Sequence, residues 1–232
     1  MIQKILADDR FVSDLGFLKT AHLFSFADYY DPSNVQFGTL RVFNDDELAA
    51  KSGFPNHPHS NMEIVTIVLD GELTHQDSMK NRGAIKAGEV QYMSAGHGVV
   101  HAEMNESTAP VHLYQIWFMP MAQDLAPTYA QKDFSALLRK NSLTALISRD
   151  QTDESLVMHA NVTVYRGLLE EDEQITYTCE PGHGVFIYVT EGTLHVNEVK
   201  ASKHVQLRIT EDREIKIIAS LDADFILIDV AL

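Results

Sequence analysis

VLDGELTH, Val68 to His75, reappears in outline as VTEGTLHV, Val189 to Val196. The two frames share a valine, an acid, a glycine and a leucine at a constant offset of 121 residues. Each frame sits in a long β-rich stretch, so the match predicts a duplicated β domain. Working outward, Val65, Ile67 and Leu69 alternate with Thr66 and Val68, the period-2 pattern of a strand. Asp70-Gly71 interrupts the run and reads as a hairpin turn, because glycine takes positive φ at no steric cost. Lys86-Ala87-Gly88-Glu89 reads as a turn before VQYM, and Val111 to Phe118 (VHLYQIWF) as a further strand. Between the halves, Met121 to Leu138 carries Pro127 and reads as the connection, with a short helix expected around Phe134 to Lys140. The expected division is a first domain over 1–130 and a second over 131–232.

Composition narrows the classes. The 232 residues, 45% of them hydrophobic, suffice for one large β domain or two of ordinary size. No apolar run approaches the roughly 18 residues that span a bilayer. The start, MIQKILADDRFV, carries charges at Lys4, Asp8, Asp9 and Arg10 and has no apolar core of a secretory signal. One cysteine, Cys179, leaves no intramolecular disulfide. These features point to the cytoplasm. A net charge of −15, spread along the chain, disfavours nucleic-acid backbones and anionic membranes. No Walker motif or dinucleotide fingerprint follows a candidate strand.

The chemistry sits in His57-Pro58-His59 and His101-Ala102-Glu103. Residues two apart on a strand share a face. Two such strands inside a barrel bring three imidazoles and one carboxylate to a point. That donor set suits Fe(II), Mn, Co, Ni, Cu or Zn and suits Ca or Mg poorly. A structural zinc site would more often use cysteine. At the 121-residue offset, His57 and His59 fall on Thr178 and Glu180, and no His-x-His occurs in the second half. The second domain is therefore expected to lack metal ligands and to close or shield the first. His75 reads as an ordinary strand residue or a pocket-lining one, His97 as exposed, Trp117 as core, and Cys179 as an inert buried thiol.

These residues carry a family resemblance. Gly53-x3-His57-x-His59-x3-Glu63-x7-Gly71, then Gly88-x5-Ser94-x-Gly96-x4-His101, resembles the two motifs of the cupin superfamily. More narrowly, HPHSNMEIVTIVLDGELTHQDS, AGEVQYMSAGHGVVHAEMN and HLYQIWFMP resemble the pirin family, and HLFSFADYYDP, His22 to Pro32, resembles its bacterial members. The resemblance covers about His22 to Pro120 by motif and the rest by length and β character.

It implies an all-β bicupin, two jelly-roll-like cupin barrels packed face to face, with one metal in the first. The implied ion is iron, Fe(II), held by His57, His59, His101 and Glu103. In many cupins the carboxylate belongs to the first motif, here Glu63; in pirins it is the glutamate two residues after the last histidine, here Glu103. Strand parity with His101 favours Glu103. Glu63 then reads as an acceptor for an imidazole N–H.

The implied activity is that of a dioxygenase opening a flavonol such as quercetin, with Glu103 as catalytic base. Its partners would be a small aromatic substrate and dioxygen. The competing readings are a non-enzymatic, metal-dependent interaction protein with a protein partner, and a cupin isomerase or sugar-binding protein.

Overall fold

The computed structural model describes residues 1–150 and 154–232, and nearly all of its regular structure is β. In chain order the strands begin with β1 (Ile2–Ile5), β2 (Phe11–Asp14), β3 (Leu18–His22), β4 (Leu40–Leu48), β5 (Ser52–His59) and β6 (Glu63–Asp70). They continue with β7 (Glu72–Asp77), β8 (Arg82–Lys86), β9 (Glu89–Ser94), β10 (Val99–Asn105), β11 (Val111–Phe118) and β12 (Thr128–Asp133). The second half holds β13 (Ser142–Ser148), β14 (Leu156–Val157), β15 (Val162–Leu169), β16 (Gln174–Thr178), β17 (His183–Val196), β18 (Val199–Ser202), β19 (Gln206–Ile209) and β20 (Glu214–Ala231).

The first unit is a sandwich of two sheets. One is seven-stranded, in the order β12-β9-β6-β11-β4-β3-β2, and the other is four-stranded, β5-β10-β7-β8. Alternate residues of β4 face opposite ways, as pleating requires. Phe43 joins the core shared with the second unit, whereas Asn44 and Asp46 line the cavity between the two sheets. The second unit is built on a nine-stranded sheet whose main path is β1-β19-β17-β20-β15-β13-β14.

The matched frames VLDGELTH and VTEGTLHV do occupy equivalent places, but the expected hairpin at Asp70-Gly71 is not formed. β6 pairs with β9 and β11, whereas β7 pairs with β8 and β10. The two strands lie in different sheets, and Gly71 is the corner where the chain passes between them. Its φ is +79°, and a Cβ there would stand 2.8 Å from the Pro110 carbonyl oxygen. Gly192 repeats the device, with φ +80° and a Cβ position 2.0 Å from the Asp222 carbonyl oxygen. There β17 runs through the corner as one strand, with register shifts between Val189 and Leu194. β20 likewise does alone what β10 and β11 do together.

The helix expected around Phe134 to Lys140 is also corrected. Leu137 and Leu138 N–H both donate to the Phe134 carbonyl, at 2.8 and 3.0 Å, which makes a single turn. The rest of the segment between β12, ending at Asp133, and β13, beginning at Ser142, is turn and irregular chain. The boundary expected at 130/131 falls inside β12, whose ladder to β9 runs from Thr128 to Asp133. At the other end of the chain, β1 pairs with β19 of the second unit.

The two units meet face to face across one buried core. Phe43, Tyr114, Ile116 and Phe118 come from the seven-stranded sheet, and Phe186, Tyr188, Ile226 and Ile228 from the nine-stranded one. Phe43 lies 5.5 Å from Phe186, and Tyr114 meets Tyr188 edge-on at 5.6 Å, ring to ring. No helix among the described residues is long and apolar enough to cross a membrane.

Candidate metal centre

His57 and His101 are direct cross-strand partners in the β5–β10 ladder, and His59 stands opposite Val99. The three rings gather closely, with centroids 4.4 Å apart for His57–His101, 4.8 Å for His57–His59 and 4.9 Å for His59–His101. One nitrogen from each lies within 4.8 Å of the others. A second trio, also within 4.8 Å, overlaps the first at His101 and adds His75 and Glu103. The i, i+2 reading of both pairs thus finds all four side chains at one cavity. A register shift between His101 and Glu103 on the β5 side does not break the β7 side, where His101 pairs with Asp77 and Glu103 with His75.

Hydrogen bonds order the imidazole tautomers. His57 Nδ1–H donates to the Pro55 carbonyl at 2.8 Å, leaving Nε2 free. His75 Nε2–H donates to Asp77 Oδ2 at 3.1 Å. Its Nδ1 then accepts from His101 Nδ1–H at 3.4 Å. That chain leaves the His101 Nε2 lone pair buried and without a protein partner. Burial, with His101 and His57 nearby, pushes the His59 imidazole down to about 4; burial, with His57 and His75 nearby, pushes His101 down to about 3. Both are neutral at pH 7, the form in which imidazole binds a metal. A buried orphan nitrogen on His101, close to the His57 and His59 rings, fits a divalent ion.

Two carboxylates were candidates beside the imidazoles. Glu103 is buried; its Oε2 accepts from Gln115 Nε2 at 2.9 Å, and the Thr66 hydroxyl lies 3.4 Å from its Oε1. Glu63 accepts from the hydroxyls of Tyr92 and Ser94, and from the His159 N–H at 3.0 Å. The role expected for Glu63, accepting an imidazole N–H, is therefore corrected. Parity points it away from the cavity and toward the second unit, where it anchors the chain at His159.

The cavity measures about 280 Å³ and opens between the two sheets. Phe26, Phe54, Pro55, Ile64 and Trp117 give it apolar walls; Asn44, Asp46 and Gln115 add polar groups. Trp117, expected as core, is a wall of this cavity and meets His59 edge-on at 4.8 Å. His75 is fully buried behind His101, stacked on Tyr129. His97 is exposed, as expected, and Cys179 is buried, its thiol pushed up to about 11 chiefly by burial. Sequence reading passed over Asp46, Asn44 and Gln115. The usable signal was polar residues on the inward parity of otherwise apolar strands.

In the second unit, β17 and β20 reproduce the β7–β10 ladder. His75 opposite Glu103 corresponds to Val196 opposite Ile217, and His101 to Ile215. All three of these positions are apolar and fully buried, inside a hydrophobic core.

The comparisons with known proteins agree with this architecture. The family model described as Pirin matches residues 7–118, and that described as Quercetinase C-terminal cupin domain matches 145–230. The chain is 42% identical over 231 residues to the quercetin 2,3-dioxygenase of Escherichia coli K12, covering 99% of both. It is 40% identical to a pirin-like protein of Caulobacter vibrioides, over 94% of this chain and 95% of that one. The crystal structure of the E. coli bacterial pirin YhhW in complex with nickel(II) superposes with a TM-score of 0.95 at 40% identity, over 100% of this chain and 99% of that one. Two cupin-type units sharing one core and full-length similarity of this degree place the chain in the pirin family, as a bicupin.

Proposed function

We propose that this protein is a metal-dependent dioxygenase of the pirin type that opens a flavonol such as quercetin with dioxygen. The observation that carries the reading is the imidazole cluster opening onto an apolar cavity. The quercetin 2,3-dioxygenase name of the E. coli relative supplies the substrate class. In this reading His57, His59, His101 and Glu103 hold one divalent ion, and the second unit holds none. Ferrous iron is the proposed resident ion, although the same donors accept nickel and its neighbours in the series. We also propose a cytoplasmic location and a division into units near residue 130. The charge of −15 supports the absence of direct nucleic-acid contact.

A bound ion supplies Lewis acidity toward a substrate hydroxyl and a route for electrons to dioxygen. The remaining work belongs to the chain. Glu103 would take the hydroxyl proton on its carboxylate, which Gln115 holds in place through Oε2 and Thr66 contacts through Oε1. Phe26, Phe54 and Trp117 hold a flat ring system and exclude water from it. The Pro55 carbonyl and the His75–Asp77 pair keep the imidazoles in their donor tautomers.

Elemental analysis of purified protein, paired with an oxygen electrode, tests this reading. Quercetin should drive oxygen uptake that a chelator removes and the metal restores. His59→Ala and His101→Ala should lose both metal and turnover. Oxygen uptake with quercetin by a metal-free variant would sink the proposal.

A further inference from the structure

Asp46 is the feature of the cavity that a metal site does not require. It sits on β4, in the seven-stranded wall, facing the four-stranded wall that carries the imidazoles. Its side chain lines the cavity, the residue is only 5% exposed, and its Oδ1 has no protein hydrogen-bond partner. The neighbouring polar groups are engaged: Asn44 Oδ1 meets His22 Nδ1 at 2.8 Å, and Gln115 and Glu103 bond each other. Burial, with Asp45 and Glu103 adding to it, pushes the Asp46 carboxyl up to about 7; a hydrogen bond from Thr20 opposes this only in part. A buried acceptor without a partner is costly to keep, which makes its position in a ligand cavity informative.

We propose that Asp46 is a specificity-determining residue, whose Oδ1 accepts a hydrogen bond from a phenolic hydroxyl on the ring system of the bound flavonol. It rests on the flavonol reading given above. Oδ1 keeps a lone pair whether or not the carboxyl is ionised, so the contact does not depend on protonation. The imidazole cluster fixes the oxygen-bearing end of the substrate from one wall. Asp46 then fixes the orientation of a hydroxylated ring from the other. Phe54 and Trp117 contribute area to this fit but little directionality. A site built to bond a hydroxyl discriminates strongly against an analogue that lacks it, because the buried partner is left unpaired.

The test compares quercetin with 3-hydroxyflavone, which keeps the hydroxy-ketone but lacks the other ring hydroxyls. Trp117 is the one tryptophan of the chain and lines the cavity, so quenching of its fluorescence reports occupancy. Metal-loaded protein under nitrogen is titrated with each compound, and metal content is checked for every variant. Wild type should prefer quercetin by about ten-fold or more, and Asp46→Leu should bring that ratio close to one. Asp46→Asn, whose amide oxygen still accepts, should restore most of the preference. Asp46→Ala replaces the leucine variant if the latter loses metal. A preference for quercetin that survives removal of the carboxyl overturns the role of Asp46 while leaving the flavonol reading intact. Wild type that binds neither compound removes both.

Discussion

At the scale of single residues, the consequential side chain is one outside the two His-containing pairs. His75 bonds Asp77 through one nitrogen and His101 through the other. Its effect is to fix which nitrogen of His101 is left for a metal. Partners of this kind are worth about 10–100-fold in metal affinity. His75→Phe keeps the ring stacked near Tyr129 but removes both nitrogens, so affinity should fall by about that factor in competition with a chelator. His97→Ala, on the exposed loop, should leave it unchanged. Equal affinities for wild type and His75→Phe would remove the orienting role. The i, i+2 spacing made His57, His59, His101 and Glu103 legible because parity is a property of one strand. His75 and Asp46 were not legible as site residues, because His75 stands behind His101 and Asp46 lines the cavity only through sheet pairing between distant strands. Trp117 packs against the Ile64, Met93 and Val99 cluster, as its core reading had it, and also walls the cavity, which parity alone did not show.

At the scale of elements, the glycines of the two matched frames explain why those frames match. Asp-Gly suggested a hairpin, but both glycines mark corners where a strand leaves one sheet and enters another. A side chain at positive φ costs roughly 1–2 kcal/mol. At Gly71 a Cβ would also press on the Pro110 carbonyl oxygen at 2.8 Å, whereas Gly16, at φ +81°, has open space around it. Gly16→Ala should therefore lower stability by about the φ penalty alone. Gly71→Ala should lower it by clearly more, read as a larger drop in the urea midpoint. Equal losses at the two sites would mean that the close approach at the corner has no cost.

At the scale of the whole molecule, Asp45 ties the two units together. It accepts from His112 at 2.6 Å and from Tyr188 of the second unit at 2.6 Å, with Arg10 3.4 Å away. The Asp45 bond holds His112 above its ordinary value despite burial. Burial opposes ionisation of Asp45, yet the bonds from His112 and Tyr188 keep its carboxyl below the usual range. A raised histidine stabilises fully below its unfolded value and loses that contribution as pH rises through its folded one. A lowered carboxylate stabilises above its unfolded value and loses that contribution as pH falls. The junction is therefore strongest between about 4 and 6.5. His112→Gln keeps a donor but no charge. Its Tm deficit against wild type should be greatest near about pH 5.5 and shrink by about pH 8.5. His204, lowered chiefly by burial, titrates in the opposite sense but is present in both proteins and cancels. A deficit that stays constant across that range would mean His112 carries no charge in the junction.

The sequence by itself determined the β class, the duplication, and the pairs His57/His59 and His101/Glu103; it marked Gly71 as a turn, and sheet pairing made that turn a corner. These follow from period-2 alternation and backbone geometry, which are local. The tertiary structure alone decided which sheet each strand joins, that Glu63 faces the second unit rather than the imidazoles, and that His75 stands behind His101. It also decided that Val196, Ile215 and Ile217 fill the second barrel where the first holds His75, His101 and Glu103. Such outcomes depend on strand order and register between residues far apart in the chain, and local periodicity does not encode them.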